Sequence, residues 1–154
     1  MITLQQWLDA YGDSHRNPTN IAIHKICVPA IVFTVLGFAW CIPVPAALAA
    51  VPFANFASLI VLLGLLFYLR LSLSMALGMG LMCGAFLLIL QAMSTAGLPI
   101  LAISAVVFVV AWIGQFYGHK VEGKKPSFFR DLQFLLIGPA WTLSWLYRRL
   151  NIPY

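Results

Sequence analysis

The 154-residue chain is poor in charge, and poorest in negative charge: charged residues make up 8% of it, and Glu122 is its only glutamate. A typical soluble domain carries roughly 25% charged residues, so this chain has too little polar side chain to cover a water-facing surface. With 62% hydrophobic residues it reads as a membrane protein, and its length suits one domain rather than two.

Other absences narrow the class. There is no CxxC pair; Cys27, Cys41 and Cys83 lie inside or at the ends of apolar stretches and read as small packing residues rather than disulfides or zinc ligands. The opening "MITLQQWLDAYGDSH" has neither a basic n-region nor an apolar h-region, so a cleaved signal peptide is not expected. No internal repeat stands out. The net charge of +5 does not come from a basic patch with interleaved aromatics, which argues against nucleic acid as a partner.

What is present is a series of apolar runs. Four are close to the roughly 20 residues that a helix needs to cross a hydrocarbon core: Ile26–Ile42, which can extend back to Pro18, a segment within Ala47–Leu69 after Pro43, Pro45 and Pro52, then Leu71–Met93 and Leu98–Tyr117. A fifth run, Leu132–Tyr147, is shorter, is interrupted at Gly138-Pro139 and carries aromatic rings near its end, the pattern of an interfacial or re-entrant segment. The expected fold is an all-α integral membrane domain over residues 1–154. It has a cytoplasmic histidine-containing segment and helix start (1–25), four transmembrane helices (26–117) and a cytoplasmic basic segment with an interfacial helix (118–154).

Charge placement supports this topology. With four crossings, Arg16, Lys25, Arg70, Lys120, Lys124, Lys125, Arg130, Arg148 and Arg149, all the cations of the chain, fall on one side, and the opposite loops hold none. The positive-inside rule makes that side, and both termini, cytoplasmic. The middles of the spans carry no ionisable residue, which argues against an ion or proton path. The absence of a targeting extension or retrieval signal favours a bacterial inner membrane over an endoplasmic-reticulum membrane.

The same topology gathers His15, His24 and His119 at one membrane face. Asn17-Pro18 reads as an N-cap and first helical position, which puts His15 in the preceding loop and makes Asn20 and His24 i, i+4 neighbours. If the fourth helix runs one turn past the membrane, His119 and Glu122 are i, i+3 neighbours and Gly123 is a C-terminal stop. Imidazoles with one carboxylate match the ligand set of a mononuclear non-haem Fe(II) centre, and three histidines are too few for a di-iron histidine-box enzyme. Each histidine taken alone also fits a polar interface anchor. Haem held by His24 and His119, and a zinc hydrolase with Glu122 as base, are further readings. The Met75, Met79 and Met82 row and Gly78, Gly80 and Gly84 read as packing positions.

Two motifs, "HRNPTNIAIHKICVPAI" and "GHKVEGKKPSFFRDLQFLLIGPAW", resemble the family of small multi-spanning membrane proteins that includes the yeast endoplasmic-reticulum 2-hydroxy fatty acid dioxygenase. The resemblance covers nearly the whole chain and places the family's motif positions on His15, Asn20, His24, Gly118 and His119. It implies Fe(II)-dependent α-oxidation, in which a 2-hydroxy fatty acid and O2 give a fatty acid one carbon shorter and CO2. Such a substrate supplies the four electrons that O2 needs, so no reductase partner is required. On that reading Lys120, Lys124, Lys125 or Arg130 draws the substrate carboxylate to the interface, worth about 1 kcal/mol each. Asn20 orients the His24 ring.

Overall fold

A computed structural model describes residues 2–49, 51–124 and 133–154. Its helices are α1 (Leu4–Gly12), α2 (Pro18–Trp40), α3 (Ala46–Ala49), α4 (Phe56–Leu69), α5 (Leu73–Thr95), α6 (Ile100–Glu122) and α7 (Phe134–Leu150), and no strand occurs among the described residues. Local chemistry sets most of the boundaries. Asn17 caps α2 by accepting from the Thr19 N–H, with Pro18 in the first turn; Asn55 and Ser72 cap α4 and α5 through the Ser58 and Met75 N–H groups. Gly123 ends α6 in the left-handed region, φ 73°, where the missing Cβ matters.

Among the described residues three helices, α2, α5 and α6, are long and apolar enough to cross a membrane. Each has 23 residues, about 35 Å at the helical rise, against a hydrocarbon core of about 30 Å. The expected span within Ala47–Leu69 is divided. A turn around Pro52 and Phe53, whose φ of 61° is left-handed, separates α3 from the 14-residue α4, which at about 21 Å is shorter than that core. The C-terminal apolar run also departs from expectation, because α7 continues through Gly138-Pro139 instead of breaking there. Pro139 withholds the N–H that would pair with the Leu135 carbonyl. Tertiary packing holds the helix nonetheless: Ile137 and Ala140 are fully buried, and the Tyr68 hydroxyl donates to the Leu136 carbonyl at 2.6 Å.

No helix is expected from the sequence over residues 1–16, yet α1 forms there. Thr3 and Gln6 make a reciprocal capping box, and Leu4, Leu8 and Tyr11, spaced along one face, are buried. That face packs on α7. Tyr68 and Ser74 both reach α7, the second by accepting at its carbonyl from the Tyr147 hydroxyl at 2.7 Å. The end of α4 and the start of α5 therefore lie beside α7, at the same end of the bundle as the start of α2 and the end of α6. Lys25 and Arg149 flank the Trp145 ring there, at 3.5 and 4.7 Å. Lys125 and Arg130 lie outside the described residues.

The α2–α6 pair is the most intimate of the bundle. Small residues bring the two backbones together: a Cβ added at Gly114 would stand 2.8 Å from the Cys27 sulfur, and one at Gly118 would land on the Asn20 side chain, with the Asn20 Cα at 3.5 Å. Met75 and Met79 are buried packing residues, and a Cβ at Gly78 would collide with Tyr147, whereas one at Gly84 meets nothing within 4 Å. Accordingly, Gly118→Leu is expected to lower the melting temperature of the detergent-solubilised protein sharply. Gly84→Ala is expected to leave it unchanged or raise stability by about 0.5–1 kcal/mol through helix propensity. A thermal melt of the two variants beside the parent checks both.

Candidate metal centre

His15 sits in the turn between α1 and α2, His24 two turns into α2, and His119 one turn before the end of α6. All three are buried, at 3%, 1% and 6% exposure, and they converge. The His15 and His24 ring centroids are 4.2 Å apart, His24 and His119 4.9 Å, His15 and His119 5.0 Å. One nitrogen from each ring lies within 4.8 Å of the others.

Backbone carbonyls decide which nitrogens face inward. His15 Nδ1 is 2.7 Å from the Tyr11 carbonyl and His24 Nδ1 2.9 Å from the Asn20 carbonyl. A carbonyl only accepts, so each Nδ1 carries the proton and each Nε2 keeps a lone pair. The Lys124 N–H donates to the His119 carbonyl at 3.3 Å, and the buried His119 Nδ1 has no hydrogen-bond partner. His15 Nε2 is likewise buried and unpartnered. Burial pushes the His15 pKa down to about 4, against the opposing pull of the Tyr11 carbonyl and Glu122, so the ring is neutral at neutral pH.

These features fit a metal ion. Buried polar atoms normally find partners, and lone pairs turned towards one another on neutral imidazoles are stabilised when a cation sits among them. With one nitrogen from each ring within 4.8 Å of the others, the group is within reach of a single ion. The donor set suits iron, zinc, copper or nickel alike. Haem fits poorly, because rings 4.9 Å apart leave no room for a macrocycle between His24 and His119.

The other anticipated residues are arranged differently from one another. Glu122 stands outside the histidine group: its carboxylate accepts from the Arg16 N–H at 2.9 Å, the Asn17 N–H at 2.8 Å and Asn20 Nδ2 at 3.1 Å. It thus caps the start of α2 from the end of α6. Asn20 holds His24 through its carbonyl, while its side chain, fully buried, donates to Glu122 and to the Ser14 carbonyl. Lys120 is exposed, and the Lys124 ammonium donates to the Asp13 carbonyl at 2.6 Å. Neither lines the cavity beside the histidines.

Three residues enter the site that the sequence reading missed. Tyr11 stacks on His15, with ring centroids 4.2 Å apart and planes 6° from parallel, and Trp141 lies 5.2 Å from the same ring; together they roof the cluster from α1 and α7. Gln115 lines the cavity with His24 and His119. The Thr3-x-x-Gln6 capping signal and the Leu4, Leu8, Tyr11 spacing point to α1, and Gln115 precedes His119 by one helical turn.

That cavity, of about 70 Å³, is bordered by Val28, Ile31, Val32 and Phe134 as well as the two histidines. It shares Ile31, Val32, Trp112, Leu135 and Pro139 with an apolar chamber of about 360 Å³ that continues along α2 to Leu36 and reaches Gly64 on α4. From His24 to Leu36 is about 18 Å at the helical rise, comparable to one leaflet of a hydrocarbon core about 30 Å thick.

No curated protein and no solved structure matches the chain. A family model described as "2-hydroxy-palmitic acid dioxygenase Mpo1-like" matches residues 1–150. Nearly the whole chain, both histidine-bearing ends included, is covered by that match, and the protein therefore belongs to the Mpo1-like family.

Proposed function

We propose that this protein is an Fe(II)-dependent dioxygenase that converts 2-hydroxy fatty acids to fatty acids one carbon shorter. The observation that carries the reading is the convergence of three buried imidazole nitrogens, with the His24 and His119 rings lining a cavity that shares its wall with an apolar chamber. The family's description supplies the reaction class. The balance is R–CH(OH)–COOH + O2 giving R–COOH + CO2 + H2O: the C1–C2 bond breaks, and C2 becomes the new carboxyl carbon.

Iron held by His15, His24 and His119 would supply open positions at which the hydroxy acid and O2 meet. The chain's own residues do the rest. The Tyr11 and Asn20 carbonyls keep the His15 and His24 protons on Nδ1, which fixes the donor nitrogens. Tyr11 and Trp141 shield the cluster from water. The chamber, about 360 Å³ and apolar throughout most of its lining, takes the alkyl tail. Glu122 acts as a positioning residue: with Asn20 it ties the His119 turn to the start of α2. A zinc hydrolase with Glu122 as base is less well supported, since that carboxylate is engaged by two backbone N–H groups and an amide. Lys120, Lys124, Lys125 and Arg130 would act at longer range, attracting the carboxylate to the membrane surface.

The proposed setting is a bacterial inner membrane, with α3 and α4 together completing a fourth crossing, α7 in the interface and the histidine end cytoplasmic. Cys41, exposed just beyond α2, is a native reporter of the opposite face. In intact cells a membrane-impermeant maleimide is expected to label Cys41 from outside; labelling only after lysis would reverse the orientation.

Metal analysis of protein purified anaerobically is expected to give about one iron per chain, lost in His24→Ala and His119→Ala. The parent should consume one O2 per CO2 released from a 2-hydroxy fatty acid, and zinc without oxygen uptake would sink the assignment. For Glu122→Ala we expect retained iron with roughly tenfold weaker affinity and a stability loss of about 1–2 kcal/mol, modest because the side chain is only partly buried. Complete loss of iron from a variant that still melts cooperatively would instead make Glu122 a ligand.

A further inference from the structure

Gln115 is 5% exposed, lines the cavity shared by His24 and His119, and its amide nitrogen has no hydrogen-bond partner. A buried amide left unpaired is a cost that a leucine of similar volume would avoid. The lining residues Val28, Ile31 and Val32 on the α2 side of the cavity are apolar and offer the Gln115 amide nitrogen no acceptor. Its placement suggests a ligand. Four residues before His119, it lies on the same helix face one turn deeper into the bundle, between the histidines and the chamber that begins at Ile31, Val32 and Trp112.

We infer that Gln115 is a specificity-determining residue that recognises the C2 hydroxyl of the bound fatty acid. The inference rests on the proposed function and follows from the order of groups along the substrate. The carboxyl end lies at the histidines and the tail in the chamber, so C2 and its hydroxyl come next to the first polar group on the tail side. Lys120 and Lys124 are on the outer surface and do not line this cavity. A primary amide both donates and accepts, as a hydroxyl does. A plain fatty acid would leave that amide unpaired in an apolar wall, and such sites reject the analogue lacking the hydroxyl.

The test is equilibrium binding of 2-hydroxyhexadecanoic and hexadecanoic acids to Fe(II)-loaded protein held without O2, read by tryptophan fluorescence. The parent should prefer the hydroxy acid by at least tenfold. Gln115→Leu should bring that ratio down about tenfold while leaving hexadecanoate affinity unchanged, and Gln115→Asn should fall between. Without ligand, Gln115→Leu should melt no lower than the parent, since it removes an unpaired amide. An unchanged ratio in Gln115→Leu, or a lowered melting temperature marking the amide as structural, would overturn the inference while leaving the proposed function standing. If the parent binds neither acid, the proposed function fails and this inference falls with it.

Discussion

Close approach of the α2 and α6 backbones is the constraint on which the site depends. His24 and His119 belong to helices far apart in sequence, and their rings meet only because Gly114 and Gly118 give α2 no side chain to ride against. In a bilayer, lipid tails compete with helix surfaces on equal apolar terms, so association depends on fit and on polar contacts. Here both are present. The glycines provide the fit, and the Glu122 carboxylate, joined to two N–H groups and the Asn20 amide, provides the polar contact at the end of the pair. The chain's one glutamate thus compensates the unpaired N–H groups at the start of α2.

Around that junction the protein balances two opposing demands. Donor nitrogens with lone pairs must be kept from water and from protons, yet burying polar atoms without partners is costly. The structure divides the imidazoles accordingly. The His15 and His24 Nδ1 protons are satisfied by carbonyls, and the remaining ring nitrogens gather within 4.8 Å of one another where Tyr11 and Trp141 pack on the His15 ring. Burial holds the Tyr11 hydroxyl protonated, so the roof adds aromatic surface without adding charge.

Much of this could be read from sequence where the signal is local. Asn17-Pro18 and Gly123 mark helix ends through backbone chemistry that needs no tertiary context, and the one-sided cations bring the three histidines to one end. Averaged hydropathy fails where backbone conformation matters: it runs through Ala47–Leu69 without registering the turn at Phe53. It also treats Pro139 as a break that packing against α1, α2 and α5 overrides. The short α1 is written in its capping box but hidden by its length. Glu122 and His119 were legible as neighbours, but not which partners each would take. Gln115, Tyr11 and Trp141 acquire meaning only through contacts between segments far apart in the chain.

The Glu122 and Lys124 contacts to the turn before α2 join residues more than 100 positions apart, and this bears on how the protein is made. A chain emerging from the ribosome presents His15 and His24 early and His119 only after the last long apolar helix. Contacts of such sequence separation form late. The N-terminal histidines therefore stay apart from His119 until α6 has formed and its C-terminal turn closes onto them. A nascent chain interrupted before Gly118 lacks His119 and has no assembled histidine cluster.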